Sequence, residues 1–527
     1  MKKFVPFLFS FIIIYASASA QKNLTLVSTI NYGQVLAGVW HYNDNSGHEY
    51  ALIGANDGIL IADITNAASP VMLDTIPAPI SIWHELTVLG DYAYCVTEGF
   101  GIIGVDAGLL VIDLTTLPGP VNYKFWTGDG AILNQLNTAH TIKSDNGYVY
   151  INGSNLGNGG VLFIDVSNPY FPAYAGMYSN QYVHDSYIMN DTLFTSEILA
   201  GRFAVIDVSD KTNPIVMATQ ATPGNFNHNI WPSDNHGIVF TADEVNNAPV
   251  GSYDITDLSN IQLLDVYLCD TLSTAEVHNV RVWNDWLICP SYGSQLTLVD
   301  AARPANLIEV GHYITGTYLC WDADPYLPSG HVLATDYNGI FYIFQPDYIR
   351  ACYLEGNVQD TATNFPINGV NVQILLTNKT TTTIITGDYK TGVADSGYYS
   401  VQFTKAGYYP KTITGVHLQN GVLTTLNVKL IPIGFSIAEN ENGNFIRPYP
   451  NPATDKINFE IKEGIKISEN ISLSIYDIIG KKVFENDLDL SKGDKFSVPT
   501  SETGKGIFTY ELKSQQKTLQ RGKFIIE

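Results

Sequence analysis

The sequence predicts an all-β protein: a seven-bladed β-propeller followed by two small β-sandwich domains. Three observations carry this. One short apolar phrase recurs seven times, as ILIADI (59–64), LLVIDL (109–114), VLFIDV (161–166), FAVIDV (203–208), VGSYDI (250–255), LTLVDA (296–301) and a degenerate IFYIFQ (340–345). Its copies are 42 to 52 residues apart, which is the period of propeller blades and too long for leucine-rich repeats. Beyond residue 350 the repeat stops, and shorter segments of alternating apolar and polar residues take over.

Each repeat has four parts in a fixed order. A first strand begins near a histidine, as in WHELTVL (83–89), and ends at a polar turn such as Gly90-Asp91, Asp145-Asn146-Gly147 or Asn190-Asp191. Such turns suit two-stranded hairpins, because Asn, Asp and Gly accept the left-handed backbone. A second strand returns, as in YAYCVTE (92–98), and the aspartate-bearing phrase forms the third. A Pro-led outer strand is the fourth, as in PVMLDTI (70–76). The chain leaves the seventh repeat at Gln345-Pro346 without an outer strand, while LTLVSTI (24–30) precedes the first repeat and resembles one. Pairing the two would close the ring and remove two exposed edges.

The hhVhDh phrase with its histidine strand resembles the LVIVD repeat of exported bacterial propellers. Over residues 21–350 it is most similar to the choice-of-anchor B group, in which a propeller carries varied attachment modules. That resemblance supplies no biochemical activity. Segments such as PINGVNVQI (366–374) and DSGYYSVQF (395–403) alternate apolar and polar residues, as a β-sandwich does. Residues 351–433 resemble the carboxypeptidase regulatory-like domain, a non-catalytic module, and no zinc-ligand cluster accompanies them. A polar linker spans 434–447. In residues 448–527, YPNP (449–452), YDIIG (476–480) and GIF (506–508) follow in order. They resemble the C-terminal sorting domain of the Por (type IX) secretion system. The resemblance implies passage through that machinery, then release or attachment at the cell surface.

Composition agrees with export. Lys2 and Lys3, an apolar run over 4–15 and Ala18-Ser19-Ala20 read as a cleaved signal over residues 1–20. The mature chain is expected to contain no transmembrane segment and to reach the surface or medium through the periplasm. Residues 21–350 hold 33 Asp plus Glu against 8 Lys plus Arg. So acidic a surface repels phosphate backbones, which excludes nucleic acid as a partner. The five cysteines fall in different structural roles, so packed free thiols are expected, with at most one bridge.

The candidate chemistry lies where the first strands begin. Six repeats carry His41, His84, His140, His184, His228 and His278 there, and the seventh carries Trp321-Asp322. Strand pairing should bring these to one rim with Glu98, Glu197, Trp40 and Trp83, beside the long excursions over 99–107 and 127–138. Imidazole with carboxylate suits a transition metal, while repetition in nearly every blade favours hydrogen bonding within or between blades, because a single site needs only three or four ligands. The six histidines remain candidate metal ligands, and His84, His140, His184, Glu98, Glu197 and Trp83 the candidate binding residues. No cofactor is required, though a transition metal is permitted. The repeated aspartates precede Ser/Thr-rich turns that a carboxylate can cap. Nucleophile elbow, HExxH, P-loop, CxxC and EF-hand motifs are absent from the sequence. Two classes of function remain open. One is a binding or adhesion propeller for a glycan, peptide or surface protein. The other is a metal-dependent enzyme using the rim histidines.

Overall fold

The computed structural model describes residues 21–99, 107–234, 237–269, 275–293, 295–316, 320–433, 445–461, 471–488, 495–514 and 517–527. The signal over 1–20, most of the 99–107 excursion and most of the 434–447 linker lie outside them.

Seven antiparallel sheets form the propeller. The second blade orders its strands Asn122–Trp126, Leu109–Asp113, Tyr92–Thr97 and His84–Leu89, from outside to inside. Blades one, three, four, five and seven repeat that order, and the innermost strands of neighbouring blades pack against one another around the axis. The aspartate-bearing strands are sandwiched between neighbouring blades, so both of their faces are buried. This is why the repeated phrase reads as a continuous apolar run rather than an alternating one.

The apolar residues separate into seven clusters, one per blade boundary. Tyr50, Leu52, Ile59 and Ile61 of the first blade meet Leu86, Cys95, Leu110 and Ile112 of the second. Tyr150, Val161 and Phe163 of the third meet Leu193, Ala204 and Ile206 of the fourth. The remaining boundaries are filled in the same way. Each fully buried side chain of this size contributes roughly 1.5–3 kcal/mol.

The six repeated aspartates sit outside these clusters and cap the turn that follows. Asp63, Asp113, Asp165, Asp207, Asp254 and Asp300 each accept the backbone N–H two residues on, at 2.8–3.0 Å. Asp300 also accepts Arg350 Nη1 and Ala351 N, both at 2.7 Å, and so anchors the chain as it leaves the propeller.

Closure follows the expected register. Leu24–Asn31 pairs antiparallel with Ile340–Pro346 as the outer strand of the seventh blade, with Leu24 opposite Pro346 and Asn31 opposite Ile340. A further pairing was not foreseen: Gln21–Lys22 adds to the edge of Ile308–Ile314 in the sixth blade. Asn23 turns the chain between the two with φ +52°, and its side chain donates to Val310 O at 2.7 Å.

The first sandwich domain is built from two four-stranded sheets, one around Cys352–Asp360 and one around Gly397–Thr404, over their own core. It is also docked on the sixth blade. Arg303 grips Glu355 through two bonds of 3.0 Å, Asn306 donates to Glu355 and to Thr391 O, and Lys22 pairs with Asp395 at 2.6 Å. The second sandwich, from Ile446 to Ile526, has a separate core around Phe459, Leu473, Tyr510 and Phe524. None of the five cysteines is joined in a disulfide. Among the described residues no helix is long and apolar enough to cross a membrane.

Candidate functional site

Five of the six histidines occupy equivalent places at one mouth of the channel. His84 faces Thr97 at the start of its strand, His140 N donates to Asn152 O, His184 N to Ser196 O, and His278 N to Pro290 O. His228 sits at a bulge between Asn227 and Asn229, as Trp321 does between Cys320 and Asp322.

His41 departs from the expected ring. It lies opposite Ala51, the residue after Tyr50, which pairs with Asp63; in the second blade the same reckoning leads to Val88. His41 is thus four residues further along its strand than His84. The first blade places Ala37 and Gly38 at the mouth instead, and a Cβ on Gly38 would lie 2.7 Å from Glu85 Oε2. His41 Nδ1 bonds Asp324 Oδ2 at 2.7 Å, joining the first blade to the seventh. Trp40 travels with His41 and stacks on it at 5.8 Å, so it too belongs to the opposite mouth.

Four imidazoles form a continuous arc. Ring centroids are 4.0 Å apart for His140–His184, 4.2 Å for His184–His228 and 4.2 Å for His228–His278. Among the described residues these ring contacts do not extend to His84, which is buried in the second blade. Two rings are held by their Nδ1 atoms: His140 bonds Glu98 Oε1 at 2.6 Å, and His278 bonds the backbone oxygen of Trp321 at 2.6 Å. Holding one ring nitrogen on a carboxylate or carbonyl orients the other, as it does behind metal-bound histidines. Among the described residues, buried Nδ1 of His184 and of His228 makes no hydrogen bond of normal geometry, and the backbone of the next histidine along the arc, His228 and His278 respectively, lies beside each ring. His228 Nε2 lies 3.9 Å from Glu244 Oε2, and one ligand atom each from His184, His228 and Glu244 fall within 4.8 Å of one another.

Burial keeps His184, His228 and His278 neutral. It pushes the His184 and His228 pKa values well below the usual imidazole value, aided by the neighbouring histidines, and lowers His278 to about 3. His84 falls to about 4 for the same reason. Neutral imidazole is the metal-ligating form. Burial also raises the Glu244 carboxyl, which is bonded by Tyr292.

The other candidate residues divide. Glu98 is at the arc through His140, and the Trp83 ring lies 6.4 Å from that of His140. Glu197 was expected on this rim but is held between the third and fourth blades. It is fully buried and held by Tyr178 Oη at 2.8 Å and Arg202 Nε at 2.6 Å. The excursion over 127–138 folds down on Ile132 and Leu136, both buried.

A polar ring just below the histidines was not read from the sequence. It is made by the residue after each histidine or its equivalent, among them Glu85, Thr141, Asp185, Asn229, Asn279 and Asp322. Asn229 Nδ2 donates to Asp185 Oδ2 at 2.6 Å, Lys143 pairs with Asp185 at 3.0 Å, Arg281 Nη2 donates to Asp322 Oδ1 at 2.6 Å, and Trp321 Nε1 donates to Glu85 Oε1 at 3.1 Å. Burial and the nearby Asp322 carboxylate raise Glu85 to about 7. These bonds run from blade to blade and tie the channel wall together. A run of polar residues in strands otherwise apolar was the available signal.

Comparison with known proteins agrees with this architecture. Residues 46–76 and 200–222 match the LVIVD repeat, residues 353–431 the carboxypeptidase regulatory-like domain, and residues 447–527 the secretion system C-terminal sorting domain. No curated protein matches the chain. The chain is an LVIVD-repeat propeller protein carrying a carboxypeptidase regulatory-like domain and a type IX sorting domain, by which it is exported to the cell surface or the medium.

Proposed function

We propose that this exported chain is a binding protein whose propeller holds a divalent transition-metal ion at the His140–His278 mouth. The observation that carries the reading is the arc of imidazoles beside Glu244, with two members already oriented through Nδ1. His184, His228 and Glu244 form the first set of ligands, and His140 and His278 flank them. Imidazole with carboxylate suits zinc and copper. Closing a tetrahedral site draws ligand atoms to roughly 3.4 Å from one another, given metal–nitrogen bonds of about 2.0–2.1 Å. Side-chain rotation about fixed strands can supply that movement. A bound ion with an open position would present a Lewis acid to a carboxylate, imidazole or hydroxyl on a partner molecule. The kinship with the choice-of-anchor B group is part of this proposal and rests on the repeat register.

Titration of the mature chain with Zn²⁺ by calorimetry tests the reading. About one ion per chain is expected, with a rise in melting temperature, because a ligand that binds only the folded state stabilises it. His184→Ala with His228→Ala should weaken binding at least about 100-fold. His41→Ala should leave it unchanged, since His41 lies at the other mouth. A wild-type chain that takes no Zn²⁺ or Cu²⁺, or a loss as large in His41→Ala, would overturn the reading.

A further inference from the structure

The innermost strands end at the opposite mouth of the channel, where a cavity of ≈ 390 Å³ opens. Its wall is aromatic: Trp40 from the first blade, Tyr187 from the fourth, Trp231 from the fifth and Tyr326 from the seventh. The Tyr187 and Trp231 rings are 4.6 Å apart, Trp231 and Tyr326 are 5.8 Å apart and nearly parallel at 15°, and Tyr326 and Trp40 are 5.7 Å apart. The wall is held from behind. Tyr326 Oη donates to Val282 O at 2.9 Å, and its backbone N–H donates to Asp324, which also binds His41. Lys143, Ser144 and Asp145 of the third blade also line the cavity.

Each cation there is already paired with a carboxylate. Arg281 lies beneath the wall, 4.7 Å from the Trp231 ring and 5.9 Å from that of Trp40, and is paired with Asp322. Lys143 is paired with Asp185. A guanidinium already sits over the Trp231 ring, so a quaternary ammonium would meet like charge rather than an aromatic cage. An anion would find both cations engaged by carboxylates. The cavity therefore suits an uncharged molecule with apolar C–H faces to lay on the rings and hydroxyls for the Lys143–Asp145 side. Its volume is at the lower end of the range for small-ligand pockets, roughly 300–1,000 Å³.

We propose that this aromatic mouth is a saccharide-binding site that takes a neutral pyranose at the end of a glycan. The site is independent of the histidine mouth and requires no metal. Ring faces that stay in place in the free protein cost little entropy when a sugar stacks on them.

The test is binding of the mature full-length chain to a panel of neutral oligosaccharides. Uronic-acid-terminated oligosaccharides and choline serve as the charged probes. Binding is followed by saturation-transfer NMR and by the fluorescence of Trp40 and Trp231. A neutral pyranose should give transfer to its ring C–H protons and a change in tryptophan emission. Tyr187→Ala should weaken binding at least about tenfold, by loss of one stacking face. Tyr187→Phe, which keeps the ring, should bind as wild type and controls for folding. Added chelator, or His184→Ala with His228→Ala, should change nothing. If that pair of substitutions abolishes Zn²⁺ binding but leaves sugar binding intact, the two mouths are separate. No response to any neutral saccharide, a response to choline or uronic acid instead, or equal binding by Tyr187→Ala would overturn the proposal.

Discussion

A variant lacking residues 21–34 is expected to melt about 10 °C or more below the mature chain, and to aggregate on heating. Leu24 is buried against Val310, Phe344 and their neighbours, and Leu26, Val27 and Ile30 are partly buried at the two boundaries of the seventh blade. Together with the strand pairing these contacts contribute on the order of 5 kcal/mol, from about 1.5–3 kcal/mol per large apolar side chain. At about 2 °C per kcal/mol for a domain of this size, the shift follows. The loss is not only packing. Removing Leu24–Asn31 bares the edge of Ile340–Pro346, and losing Gln21–Lys22 bares that of Ile308–Ile314. Both are then templates for pairing with another chain. Thermal melting with light scattering measures both effects. An unchanged melting temperature would mean that the ring does not depend on this closure.

Deleting residues 447–527 should stop export almost completely while leaving the rest folded. The core of this segment runs from Ile446 to Ile526 and includes no residue of the propeller or of the first sandwich. The propeller clusters likewise include nothing beyond Ala394. Folding is therefore separable from sorting. Fractionation of cells carrying the truncated chain should find it in the periplasm, with the melting temperature of its propeller retained. Truncated protein reaching the surface or medium at the normal level would remove the sorting role from this segment.

The propeller was legible because its physics repeats. Strands sandwiched between blades must be apolar on both faces, which marks all seven blades, and in six of them the aspartate that ends the phrase caps the following turn. Closure was legible too, since LTLVSTI (24–30) is an outer strand without a blade of its own. The site was read less well. The histidines of the second to sixth blades stand five or six residues before their hairpin turns, whereas His41 stands three before Asp44. That spacing carried the displacement of His41 and Trp40 to the other mouth. Glu197 turned inward because Arg202 of its own blade and Tyr178 of the third blade offered it charge and a hydroxyl at the boundary between the two blades. The polar ring and the aromatic wall join residues from different blades, some separated by more than 200 positions, as Trp321 and Glu85 are. No local pattern records such pairs, because the symmetry axis that unites them exists only once the ring is closed. The docking of the first sandwich through Arg303 and Glu355 is of the same kind.

The central claim is that the histidine arc is a metal site, and anomalous diffraction from crystals of the mature chain grown with Zn²⁺ tests it most directly. Data collected at the zinc edge should show one dominant peak at the mouth of the propeller. It should be bonded to His184 and His228 nitrogens at about 2.0–2.1 Å and to the Glu244 carboxylate at about 2.0–2.2 Å. No peak at that mouth, or zinc bound only elsewhere on the chain, would contradict the claim and leave the arc as hydrogen bonding and packing between blades.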